Sequence, residues 1–175
     1  MRSTTCCWPL AVVASAAAVA AQPPLGTPPP PEALPRIEFV FEERVTLAPA
    51  VVLGETAFGQ RQYIPITGGK IAGPKLRGEV IPGGWDFQLR LPNGCGTLTA
   101  DYFLKAEDGT VIHILNEGYS CFGVAGAEKS YTRPRFEAPK GPHEWLTRGT
   151  FVATIELDSP PPKLEAIRIK VYQVK

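Results

Sequence analysis

"GTLTADYFLKAEDGTVIHILNEGYS", residues 96–120, reads as two strands around one turn. Asp108-Gly109 accepts the left-handed backbone of a tight hairpin, and the arms at 97–106 and 110–119 alternate apolar with polar residues. With a three-residue loop and Gly109 at the bulge, Ala106 opposes Thr110, Tyr102 opposes Ile114, Ala100 opposes Asn116 and Leu98 opposes Gly118. Leu98, Ala100, Tyr102, Leu104, Ile112 and Ile114 then share one face, which we take as the inner one. The same register sets Cys95 opposite Cys121, close enough for the short Cα separation of a disulfide, so it predicts a bridge between them. A free thiol pair and ligation of a metal with His113 or His143 are the rival readings; no C-x-x-C spacing or paired histidines support the metal.

Away from the hairpin the apolar period stays at two. Ile37, Phe39 and Phe41 form one apolar series, Trp85, Phe87 and Leu89 another, and Phe151, Ala153, Ile155 and Leu157 a third, each expected to bury one face. Turn signals recur at short intervals, among them Gly68-Gly69, Gly73-Pro74, Pro82-Gly83-Gly84 and Pro92-Asn93-Gly94. No window carries a helical stripe, and residues 143–147 give at most one turn. Many short strands with frequent turns predict an all-β fold, a single antiparallel β-barrel of lipocalin-like or calycin-like architecture.

The ends set the domain plan. Arg2, the apolar run at 8–19 and a small-residue cleavage site predict a secretory signal at 1–21, and Cys6 and Cys7 lie at the wrong end of that run to carry a lipid. Residues 22–36 form a proline-rich linker, an extended spacer because proline fixes φ and lacks the N–H donor. Residues 37–175 form the barrel domain. Loss of Arg2 leaves 17 bases against 17 acids, a balance that speaks against nucleic acid or a charged membrane surface as partner. An exported chain with no stable membrane insertion after cleavage is expected, in the periplasm or outside the cell. Its oligomeric state is left open.

Catalytic motifs are scarce. The glycine-rich segment at 63–87 fails the phosphate-loop pattern, because Gly69-Lys70 is followed by Ile71 and no helix can start there. Ser120, Ser130 and Ser159 lack the setting of a nucleophile elbow. His113 falls on the hairpin's polar face opposite Phe103, the ordinary place of a surface histidine. No motif calls for a cofactor or metal. The unusual feature is polarity on the inner face: Asn116 sits there among apolar residues beside Tyr102, where both either satisfy each other or anchor a small molecule.

The stretch "IPITGGKIAGPKLRGEVIPGGWDFQ" at 64–88 closely resembles the signature of domain-of-unknown-function family 3237, the UPF0311-like small β-barrel proteins. "FEERVTLAPAVVLGETAFGQR" at 41–61, "AEDGTVIHILNEG" at 106–118 and "RPRFEAPKGPHEWLTRGTFVATIEL" at 133–157 agree with it. The resemblance implies an antiparallel β-barrel. Its pattern falls on Gly68, Gly69, Gly83, Gly84, Asp86, Arg135, Phe136, Glu137, Trp145, Leu146 and Phe151. Members often carry an acid near Thr99, an Arg near Asp101 and an Asn near Thr147, where this chain departs from them. Most members have no assigned activity, and some fungal relatives are associated with cofactor-free ring closure.

Three functions follow as expectations. The first is binding of a small apolar or aromatic molecule in the barrel by Tyr102, Asn116, Trp85 and Trp145, with no cofactor. The alternative is a cofactor-free cyclase or isomerase on a polyketide-like or aromatic substrate, in which Asp86 or Glu137 moves a proton and Arg135 or Tyr102 steadies an oxyanion. The third is a structural envelope protein with a solid core.

Overall fold

Among the described residues the period-two pattern from Ile37 onward becomes nine strands: β1 (Ile37–Leu47), β2 (Val51–Thr56), β3 (Gly59–Ala72), β4 (Gly78–Arg90), β5 (Gly96–Ala106), β6 (Val111–Ser120), β7 (Ser130–Glu137), β8 (Thr150–Leu157) and β9 (Ala166–Val174). One helical turn, α1 (Trp145–Arg148), falls where a single turn was expected. This computed structural model describes residues 24–122, 124, 130–158 and 164–175, so the signal expected at 1–21 lies outside the described residues. Within the linker, Pro31–Ala33 form a 3-10 turn. Among the described residues no helix is long and apolar enough to cross a membrane.

All strand pairs are antiparallel, in the order β1-β9-β8-β7-β6-β5-β4-β3-β2. β1 also pairs with β3, which closes eight strands into a barrel and leaves β2 as a ninth strand on β3. Closure brings backbones close, and Gly69 makes the β1–β3 seam: a Cβ there would lie 2.2 Å from the Arg44 carbonyl oxygen. The ladders slip between Pro65 and Gly69 on β3 and between Ile81 and Trp85 on β4, at the expected glycine corners.

The hairpin at β5–β6 takes the derived register, with Tyr102 opposite Ile114, Ala100 opposite Asn116 and Leu98 opposite Gly118. Beyond its open end Cys95 and Cys121 are joined as a disulfide, their Cα atoms 4.1 Å apart. The lower half of the barrel is solid. Leu104, Ile112, Ile114 and Val171 are fully buried there. β7 pairs with β8 only through Ser130–Thr132, and an aromatic chain fills the region: Phe136 contacts Phe41 and Phe151 at ring separations of 6.0 and 5.0 Å, and Trp145 lies 6.0 Å from Phe151.

Two strands depart from the simple alternation. On β1 the ladder with β9 slips between Phe39 and Phe41, so Val40 and Phe41 are both buried while Ile37 and Phe39 stay exposed. On β4 the apolar series expected to be buried faces outward: Trp85 is 51% exposed and Phe87 37%, while Asp86 and Gln88 point inward and line the lumen. Register is the cause. Asp86 opposes Ile64 on β3 and Ala100 on β5, which both face the lumen, and side chains opposite each other on a ladder share a face. Outside, the Arg61 guanidinium covers the Phe87 ring at 4.8 Å.

Candidate functional site

The inward polar residues of β4 meet two from β5 and β6 and one from β1. Gly84 permits the meeting, since a Cβ at that position would lie 2.4 Å from Tyr102 Cβ, so β4 runs close against β5 two residues before Asp86. Asp86 Oδ2 accepts a hydrogen bond from Gln88 Nε2 at 2.6 Å, and Gln88 Oε1 accepts one from Gln62 Nε2 at 2.7 Å. This amide chain fixes the Asp86 carboxyl and leaves Oδ1 sealed from solvent with no partner among the described side chains. Tyr102 donates its hydroxyl hydrogen to Glu43 Oε2 at 2.7 Å, and Glu43 Oε1 has no partner. Both Asn116 side-chain atoms are buried and unpartnered.

Burying such groups without hydrogen-bond partners costs stability. Burial pushes Glu43 up to about 7, against the opposing effect of its bond from Tyr102. Burial likewise raises Asp86 to about 6, against the hydrogen bonds from Gln88 and the Thr99 backbone. Tyr102 is held well above its ordinary value, first by burial and then by the negative charge of Glu43. Two carboxyls therefore exchange protons near neutrality inside an apolar wall, while the phenol keeps its own.

Asp86, Gln88, Tyr102 and Asn116 line a lumen cavity of about 70 Å³, walled by Ile64, Ile66, Leu98 and Ile169 among others. Above it lies a second hollow of about 240 Å³, and Gln88, Leu98, Phe122 and Leu164 line both. The inner cavity thus continues into a vestibule beside the Cys95–Cys121 bridge. Among the described lining residues of the lumen there is no Lys, Arg or His, so an anionic ligand meets no counter-charge there. A larger hollow, about 960 Å³, lies on the outer barrel face along Tyr119, Tyr131, Val152 and Tyr172. Its described lining residues include no buried titratable group, whereas the lumen is lined by Asp86 and Tyr102.

Of the residues singled out from sequence, the structure brings Asp86, Tyr102 and Asn116 together. Trp85 faces solvent, because it neighbours Asp86 on the same strand. Trp145 packs in the aromatic fill with the Lys75 ammonium 5.8 Å over its ring, and it does not line the lumen. Arg135 and Glu137 stand on the outer face of β7, with side chains 68% and 84% exposed; Arg135 pairs with Glu117 at 3.0 Å. His113 also lies outside, its Nε2 2.7 Å from Asp101 Oδ1. Among the described residues no cluster of three His, Cys, Asp or Glu is placed to hold a metal ion.

Sequence reading missed Glu43, Gln62 and Gln88. Glu43 carried a usable signal, since it keeps the phase of Phe41, Val45 and Leu47, an acid in an apolar series. Gln62 and Gln88 carried none, because nothing in sequence marks which face of β3 and β4 turns inward.

Known proteins share this architecture. The profile of a family described as "Protein of unknown function (DUF3237)" matches residues 35–174. A UPF0311 protein of Rhodopseudomonas palustris is 32% identical over 130 residues, covering 67% of this chain and 85% of that one. The hydroalkoxylation enzyme phnH of Penicillium herquei is 29% identical over 138 residues, covering 79% of this chain and 82% of that one. A crystal structure of a beta-barrel like protein from Acinetobacter baumannii superposes with a TM-score of 0.72 at 26% identity, covering 86% of this chain and 99% of that one.

Proposed function

The chain belongs to the DUF3237 family of proteins of unknown function, and from that premise we propose that it is a cofactor-independent acid–base catalyst acting on a small uncharged molecule bearing a hydroxyl group. The observation that carries this reading is the Asp86 carboxyl, raised to about 6, held by the Gln88–Gln62 chain and lining the lumen, with Oδ1 buried and free of any side-chain partner among the described residues. A site meant only to bind a neutral molecule needs hydrogen-bonding groups, whereas a desolvated carboxyl that exchanges its proton near neutrality suits proton transfer. Asp86 accepts the substrate's hydroxyl proton through Oδ1, and the oxygen forms its new bond to one carbon of a C=C double bond in the same molecule, whose π bond breaks and leaves its electron pair on the neighbouring carbon. Asp86 then returns the proton to the neighbouring carbon, so the net change is an isomerisation with no redox step. Asn116 and Tyr102 hold the substrate's oxygens by hydrogen bonds.

The likeness to a fungal hydroalkoxylation enzyme supports this reaction class, since adding an O–H group across a double bond is such an isomerisation. The small lumen cavity admits the reacting end, and the vestibule accommodates the remainder of the molecule. Export into an oxidising compartment is part of the proposal, supported by the Cys95–Cys121 bridge and the signal-like residues 1–21. Two free thiols in the exported fraction would contradict it.

The test is untargeted mass spectrometry of compounds that co-purify with residues 22–175, followed by incubation of each compound with the domain. The proposal expects conversion without change of mass, slowed at least about 100-fold in D86N. Tight binding with no turnover by the wild-type domain, or equal turnover by D86N, would contradict it.

A further inference from the structure

Glu43 takes no part in the proton transfer assigned to Asp86, yet among the described residues it is the most deeply buried carboxyl, with no exposed surface. Its neighbours on the barrel wall offer no charge, being Ile71 across the β3 ladder and Ile169 across the β9 ladder. The titratable group that faces it from β5 is Tyr102, with Asp86 on β4 close enough for its charge to act on the same phenol. His113 and His143, by contrast, pair with the surface carboxylates Asp101 and Asp108. A buried glutamate with one oxygen bonded to a phenol and the other unpartnered needs an account other than charge pairing.

We infer that Glu43 is a positioning residue that sets the direction of the Tyr102 hydroxyl hydrogen, and through it whether the lumen presents a hydrogen-bond acceptor or a donor to the ligand. This inference rests on the lumen being the proposed site. Tyr102 has one hydrogen and keeps it, because its own ionisation is pushed far above neutrality. When Glu43 is ionised it holds that hydrogen, so the phenol offers the cavity only lone pairs and fits a ligand hydroxyl. When Glu43 is protonated it donates to the phenol oxygen, and the Tyr102 hydrogen turns free for a carbonyl or a developing oxyanion. The changeover is centred at about pH 7, where Glu43 gains or loses its proton. The site would therefore prefer hydroxyl donors on the alkaline side and carbonyl acceptors on the acid side.

The experiment is a pH titration of the ligand-free domain labelled with ¹³C at tyrosine Cζ, the Tyr102 resonance being assigned by its loss in Y102F. Wild type should show a step in that resonance with its midpoint near 7, E43Q should lose the step, and D86N should retain one. A step that persists in E43Q, or one that vanishes in D86N, overturns the inference. Should E43Q fail to fold, ¹³Cδ-glutamate labelling of wild type decides, because the Glu43 carboxyl and Tyr102 must then titrate with one midpoint. The two proposals fail separately. Unimpaired turnover by D86N removes the proposed reaction and leaves the Tyr102 step untouched, while a wild-type Tyr102 resonance that is flat from pH 5 to 9 removes only the role of Glu43.

Discussion

The β5–β6 hairpin and the neighbouring strand β4 are built by opposite rules. In the hairpin the apolar series Leu98, Ala100, Leu104, Ile112 and Ile114 faces the barrel interior and is buried, as folding by apolar burial demands. On β4 the apolar Trp85 and Phe87 face water, and Asp86 and Gln88 take the inward places. Both share one ladder, so the register that buries Ala100 also turns Asp86 inward. A strand whose local pattern conflicts with its neighbours is a local loss accepted for something else, and such conflicts concentrate at functional sites. On the function proposed above, the hairpin supplies stability along with Tyr102 and Asn116, and β4 supplies the carboxyl that moves the proton.

The largest expected effect lies on the hairpin. Ile114→Ala removes a fully buried side chain below the lumen and should cost about 2–5 kcal/mol in urea unfolding. Next comes the bridge at the hairpin's open end. Replacing Cys95 and Cys121 together by Ser should cost about 3.5 kcal/mol, the loop-closure value for their separation of 26 residues. A loss under about 1 kcal/mol would mean that the denatured chain is already restrained there.

A third effect depends on pH and has a definite sign. Glu43 has its folded value raised from 4.5 to about 7, so the folded protein holds this proton more tightly than the unfolded chain does. Its contribution to stability is full below pH 4.5 and is lost as the pH rises through 7. The loss amounts to about 3 kcal/mol from this group alone. E43Q should flatten that slope and be more stable than wild type at pH 8. The smallest effect is expected at the outward aromatic of β4, where Trp85→Ala should stay within about 0.5 kcal/mol. A loss as large as that of Ile114→Ala would mean that the outer face of β4 is covered, and the contrast with the hairpin would fail.

The fold was legible because Asp108-Gly109 fixed one hairpin register, and that register alone aligned Ala100 with Asn116 and Cys95 with Cys121. The candidate site was legible where the hairpin reached it, at Tyr102 and Asn116, and Asp86 was marked by the family's glycine-rich signature. The faces of β4 were not legible, since Trp85-Asp86-Phe87-Gln88 taken alone directs its aromatics inward. Only pairing with β3 and β5 reverses it. Arg135 and Glu137 were marked by the family's pattern, but strand phase placed both on the outer face, apart from Phe136 between them, which is buried. Glu43 needed only the phase of β1 to be followed past Phe41.

The claim that the inward face of β4 serves function and not folding is tested most directly by the unfolding free energy of D86N at pH 8. The Asp86 carboxyl is ionised at that pH against a folded value of about 6 raised by burial. Removing its charge should stabilise the barrel by about 1–3 kcal/mol, the pattern of an active-site residue held at a cost to stability. A loss comparable to that of Ile114→Ala would instead make Asp86 part of the fold's framework and contradict the account.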